Sequence, residues 1–191
     1  QRQLNLKNLK WKDIDFNLKN HKIGKGLILV KKIEEDKKEI FPLNLKAAKI
    51  ISAEDHPNAE KLYVLKVDLG KEKRQLVAGL KGHYTKEQLK NKKIIVLTNL
   101  KYAKLRGIES QGMLLAGDDG KNVGILTTNA EPGIQAGIEG FENSNEQISF
   151  EQFQKLKLIV KNSHPFFENE EIKAGSESVV VEKIKENARV R

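Results

Sequence analysis

From position 43 the chain alternates: Leu43, Leu45 and Ala47 share one side, with Asn44 and Lys46 between them, before the pair Ile50-Ile51. A period of two marks a half-buried strand, and this one runs into Asp55-His56-Pro57-Asn58, a turn sequence. Between Tyr63 and Leu69 the alternation is cleaner, with Tyr63, Leu65, Val67 and Leu69 on one face until Gly70 stops it. Gln75 to Leu80 predicts a third strand, ended by Gly79 and Gly82. Thr85-Lys-Glu-Gln88 has the spacing of a capping box and predicts one short helix ending near Asn91. Lys93 to Leu100 predicts a fourth strand. Met113–Ala116 and Val123–Leu126 flank the loop Gly117–Asn122 and predict a terminal hairpin.

Three strands, a short helix, a fourth strand, a loop and a fifth strand is the order of an OB fold, a five-stranded Greek-key barrel. Oligonucleotides commonly lie against its second and third strands and its 1–2 and 4–5 loops. On that reading Lys101 to Arg106 is the loop between strands four and five. The pattern changes on both sides of the barrel. Residues 1–40 are Lys-rich with scattered apolar positions, among them Trp11, Ile14 and Phe16, and read as an extended arm. The charge run Lys31–Glu39 reads as a linker, which places a boundary near Ile40. Beyond the barrel, Ile148–Phe153 leads into a strand-like Leu156–Val160, and Val179-Val180-Val181 predicts a second strand. Phe166, Phe167 and Ile172 supply apolar bulk, but so short a unit does not fold alone and must dock on the barrel or on another chain. The expected organisation is therefore an arm over 1–40, a barrel over 41–141 and an extension over 142–191. The fold class is mainly β: a five-stranded OB barrel with one short helix, an extended arm and a small C-terminal α/β or β extension.

Charge adds a direction. The net charge of +9 is unevenly spread: residues 1–110 hold 26 Lys and Arg against 13 Asp and Glu, and residues 111–191 hold 9 against 13. A basic half implies a nucleic acid or an anionic membrane surface as partner. No apolar run approaches the roughly 18 residues of a membrane span, and mean hydropathy is −0.55, so the expected location is the cytoplasm. The chain opens on Gln1, and the expectation is a piece of something longer.

Catalytic chemistry is hard to place. There is no Cys, and the four His residues lie far apart without ligand spacing, so no metal is expected. Phosphate-binding glycine loops and nucleophile elbows are missing, and Ser110 has no neighbouring His to activate it. No cofactor is expected, and the chain is not expected to be an enzyme by itself. The segment from Thr98 to Met113 carries the candidate site. Lys101, Lys104 and Arg106 suit phosphates, Arg106 with a bidentate contact. Asn99 and Ser110 either bond to RNA or stabilise the loop through its backbone. Met113 is either core or contact, and Gly107 and Gly112 set the backbone. Tyr63, Tyr84 and Tyr102 are the only aromatics between Leu43 and Gly140, too few for a single-strand stacking platform. A folded RNA read by shape fits better.

His56-Pro-Asn-Ala-Glu-Lys-Leu-Tyr63, Arg74-Gln-Leu-Val-Ala-Gly79 and Asn99 through Met113 resemble three blocks of a tRNA-binding domain. That domain is shared by the C-terminal part of methionyl-tRNA synthetase, free bacterial tRNA-binding proteins and endothelial monocyte-activating polypeptide II. The resemblance runs from about Leu43 to Gly137, with Tyr102 standing where the family usually has Pro. It implies an OB domain that grips the outer corner of L-shaped tRNA largely without regard to sequence. Its contact residues map onto Asn99, Lys101, Lys104, Arg106, Ser110 and Met113, with Lys81, Arg74 and Lys73 added from the strand-three region. His21-Lys-Ile-Gly-Lys25 and Lys32–Asp36 are similar to the end of a methionyl-tRNA synthetase anticodon-binding domain, although Asn20 replaces a Gly and Gly26 a Pro. The tail resembles extensions of archaeal-type methionyl synthetases. The implied partners are tRNA, the catalytic part of the synthetase in the same or a separate chain, and a second copy in a homodimer, unless the extension stands in for that copy. The implied role is to raise the synthetase's affinity for tRNA. The alternative is an assembly module for which basic charge is incidental.

Overall fold

The computed structural model describes residues 39–186 and 188–191. The N-terminal arm and its anticodon-domain resemblance lie outside the described residues. Six chain segments build the barrel as expected: β1 (Leu45–Asp55), β2 (Tyr63–Asp68), β3 (Lys73–Ala78), α1 (Lys86–Leu89), β4 (Lys93–Leu97) and then a split fifth strand. Thr85 caps α1 through the reciprocal Thr85–Gln88 bonds that the sequence predicts.

The segment after β4 differs from a plain loop. It folds into a hairpin of β5 (Ala103–Leu105) and β6 (Ile108–Ser110). Leu105 faces Ile108 in register, so Arg106 and Gly107 form a two-residue turn. Both have positive φ, 50° and 95°, which is the type I′ geometry that matches strand twist. The fifth strand follows as β7 (Met113–Leu114), β8 (Ala116–Asp118) and β9 (Val123–Thr128), and then β10 (Gln135–Gly137) returns to β1.

The extension comprises α2 (Phe150–Lys155), β11 (Leu158–Lys161), β12 (His164–Phe167), β13 (Lys173–Ala174), β14 (Glu177–Val181) and β15 (Arg189–Val190). Of the α/β and β extensions that the sequence left open, the structure has the first: a helix opened by a Ser149–Gln152 capping box precedes β11. The extension does more than lie on the barrel. β1 pairs with β4, β4 with β9, β9 with β14, β14 with β13, β13 with β10, and β10 with β1, which closes a six-stranded ring.

Two cores result, and they share walls. Ala48, Ile50, Leu65, Val67, Leu76, Ile94, Val96 and Ile125 fill the OB barrel. Leu45, Ala47, Ile95, Leu97 and Leu126 point the other way, onto Phe153, Leu158, Phe167, Val179 and Val181 of the extension. This is why Ile94-Ile95-Val96-Leu97 is apolar without alternation: a strand covered on both faces needs apolar residues on both. At the seam the Lys183 ammonium lies 3.6 Å from the Tyr84 ring centroid and donates to the His83 carbonyl. The buried Tyr84 hydroxyl accepts from the Ile125 amide, and burial pushes its pKa up to about 12.

Candidate nucleic-acid interface

The β5–β6 hairpin and the two residues ahead of it are exposed from Lys101 through Gly107. Lys101, Lys104 and Arg106 are all exposed. Among the described residues none of the three is within ion-pair distance of a carboxylate. Arg106 occupies the turn itself, in a left-handed conformation uncommon for residues other than Gly.

What makes this hairpin a platform is its base. His56, only 5 % exposed, donates from Nε2 to the Leu105 carbonyl (3.0 Å) and accepts at Nδ1 from the Asn58 amide (3.1 Å). That pins the tip of β5 to the turn between β1 and β2. Ser110, also 5 % exposed, donates to the Gly112 carbonyl (2.8 Å) and accepts from the Val77 amide (3.0 Å). Gln75 and Gln111 exchange bonds between β3 and the residue after β6, and the Gln75 side chain also donates to the Glu109 carbonyl. Arg74 donates to the Thr98 and Gln111 carbonyls (2.9 and 3.1 Å) and pairs with Glu72. Its guanidinium lies 5.9 Å from the Tyr102 ring centroid.

Asn99 sits lower still, 6 % exposed. Its carbonyl oxygen accepts from the Asn44 amide (2.9 Å), and its amide donates to the carbonyls of Pro42 (3.1 Å) and Glu146 (2.8 Å). One side chain thus ties the start of β1, the base of the hairpin and the approach to the extension. Met113 is half-buried and opens β7. It lines a groove of about 480 Å³ between the hairpin and the extension, together with Val77, Lys101, Leu105, Phe150 and Arg191. Phe150 is 51 % exposed there.

The nine residues singled out from sequence therefore divide by what they face. Lys101, Lys104 and Arg106 face solvent on one hairpin, with Met113 in the groove beside it. Asn99, Ser110 and Arg74 face backbone and fix that hairpin in place. Lys73 is exposed at the start of β3, opposite Asp68. Lys81 pairs with Asp55 (2.7 Å), which also holds Lys86 (2.6 Å). Those two ammonium groups, Lys81 foremost, hold the Asp55 carboxyl down at about 2.

The sequence reading gave His56 no role beyond its turn. Its effect is testable. His56→Ala removes the bonds to the Leu105 carbonyl and from the Asn58 amide, each worth about 0.5–1.5 kcal/mol. The expected result is faster amide hydrogen exchange at Lys104–Ile108 while β1–β4 keep their protection; unchanged exchange in the hairpin would contradict the pinning role.

The description of a putative tRNA binding domain matches residues 45–137. The methionine–tRNA ligase of Thermococcus onnurineus is 56% identical over 108 residues, 56% of this chain but 15% of that protein. That of Methanocaldococcus jannaschii is 37% identical over 165 residues, 72% of this chain and 25% of that protein. The chain therefore spans a quarter or less of these curated relatives. The C-terminal domain of Plasmodium vivax p43 superposes with a TM-score of 0.71 at 25% identity, covering 78% of this chain and 96% of that one. That share of the chain is larger than the 45–137 match.

Proposed function

We propose, since residues 45–137 belong to the family of putative tRNA binding domains, that the barrel is a non-catalytic tRNA-binding module of a cytoplasmic methionine–tRNA ligase. Its hairpin lies along the outer corner of L-shaped tRNA. Lys101, Lys104 and Arg106 meet phosphates, and Met113 meets the nucleotide over the groove. Asn99, Ser110 and Arg74 act through the backbone they hold, with Lys73 and Lys81 at the margin. The observation that carries this reading is the set of three exposed cations, Lys101, Lys104 and Arg106, on and just before a hairpin braced by His56, Gln75 and Ser110.

Phosphate contacts carry no base identity, so binding is largely indifferent to tRNA sequence. Joined to a catalytic unit, such a module raises the local concentration of tRNA and multiplies affinity without touching the reaction. Of the two options the sequence left open, a homodimer or an extension that stands in for the second copy, the second is the one proposed, because the extension buries the outer faces of β1, β4 and β9.

A fluorescence titration across a salt series tests the assignment. With about four to six phosphate contacts, log Kd should change with log salt at a slope magnitude of about 3–5. An unstructured RNA of equal length should bind more weakly, and light scattering of the same sample should give a single-chain mass. A flat salt response, or equal affinity for the unstructured RNA, contradicts tRNA recognition. A doubled mass contradicts the role given to the extension.

A further inference from the structure

The extension carries a second group of cations that its overall acidity conceals. Lys155 and Lys157 are exposed at the end of α2, Lys161 closes β11, and Arg189 opens β15 beside it. They border a shallow groove of about 530 Å³. Among the described residues none of these four is within ion-pair distance of a carboxylate. Four of the 13 carboxylates of residues 111–191 are paired with other groups: Glu182 with Lys92, Asp118 with Arg191, Glu131 with Lys93, and Glu171 beside His164.

These cations are also held. Lys161 donates to the Asn169 side-chain carbonyl (3.0 Å) and lies 5.4 Å from the Phe166 ring centroid. Arg189 donates to the Gln154 carbonyl of α2. The same helix connects the two grooves, since Phe150 lines the one beside the hairpin while Gln154 and Lys155 line this one. A helix of six residues is about 9 Å long, close to the Debye length at physiological salt, about 8 Å. The two groups of cations thus border grooves that one short helix joins.

We propose that the face formed by the end of α2, β11 and β15 is a second phosphate-contact surface for the RNA held by the β5–β6 hairpin; this rests on the tRNA-binding reading above. The extension then completes the ring and also lengthens the RNA track.

The full chain carrying Lys155→Gln, Lys157→Gln and Lys161→Gln, titrated with tRNA across a salt series beside wild type, tests it. The expected result is a loss of about 30-fold or more at physiological salt and a salt slope reduced by about 2 to 3, with the triple Lys→Arg variant binding as wild type does. Unchanged affinity and slope, in a protein whose hairpin variant has lost both, overturns this inference and leaves the tRNA reading standing. Unchanged tRNA binding with lost retention of polyglutamate also overturns it and assigns the face to an acidic protein partner. If the hairpin variant binds tRNA normally, the reading falls and this inference falls with it.

Discussion

Replacing Lys101, Lys104 and Arg106 together by Ala is expected to weaken tRNA binding about 100-fold at physiological salt. Each phosphate neutralised releases about 0.9 of a counterion, so at about 0.15 M salt each contact accounts for about fivefold in affinity. Three contacts give a little over 100-fold. The fold should not notice. All three side chains are exposed, and the bonds that brace the hairpin run through His56, Gln75, Ser110 and backbone carbonyls. The Ala variant should keep the hydrogen exchange of the wild-type hairpin, because Leu105 still offers its carbonyl to His56. Arg106 already holds its positive φ with a Cβ in place, so Ala adds no strain there; Arg106→Gly keeps the turn and removes the charge, so it should lose about fivefold alone. Binding within twofold of wild type for the triple variant contradicts the assignment of the hairpin.

The second large effect is on stability. A Cβ on Gly124 would overlap the Glu182 carbonyl oxygen and stand 2.8 Å from its carbonyl carbon. Neither neighbour is free to retreat. Glu182 donates its amide to the Ile125 carbonyl (3.1 Å), and Leu126 is paired with Val181 in register. Gly124→Ala therefore forces β14 off β9, opening the six-stranded ring and loosening the Lys183–Tyr84 contact. Overpacking of this kind costs about 3 kcal/mol, which for a chain of this size lowers Tm by about 6–12 °C. Gly79→Ala is the control, because a Cβ there meets only Leu62 Cδ2, at 3.8 Å. Calorimetry on both variants decides it. Equal midpoints would mean that the extension is not held where β9 and β14 pair.

Local pattern carried much of the barrel. Period-two alternation located β1 and β2, glycines marked the ends of β3, and the Thr85–Gln88 spacing located α1. The same capping spacing at Ser149–Gln152 opens α2, a segment to which sequence alone assigned no element ahead of the strand-like Leu156–Val160. The hairpin was signalled by Ala103 and Leu105 on one side of Arg106-Gly107 and Ile108 and Ser110 on the other. It was read as a loop because two three-residue strands are too short to show a period. The shared walls were out of reach for another reason. Ile94-Ile95-Val96-Leu97 announces burial on both faces, but nothing local says that residues some 80 positions later cover the second face.

At the site, residue type disclosed charge but not orientation. Lys101, Lys104 and Arg106 are legible because cations exposed on a loop need no partner to be recognised. Asn99, Ser110 and Arg74 are polar groups whose partners are main-chain atoms 33 to 55 residues distant for Val77 and Asn44, and 24 to 37 for the carbonyls that Arg74 holds. Such bonds obey no local spacing. They exist because buried polar groups must be satisfied wherever the fold brings them.

The central claim is that the braced hairpin holds the corner of tRNA by its phosphates, and phosphate ethylation interference reads that contact directly. With the wild-type chain, the phosphates whose modification blocks binding should cluster at the outer corner, where the two arms of the L meet. The Lys101, Lys104 and Arg106 variant should lose that cluster. Interference confined to the acceptor or anticodon ends, or a corner cluster that persists in the variant, contradicts the account.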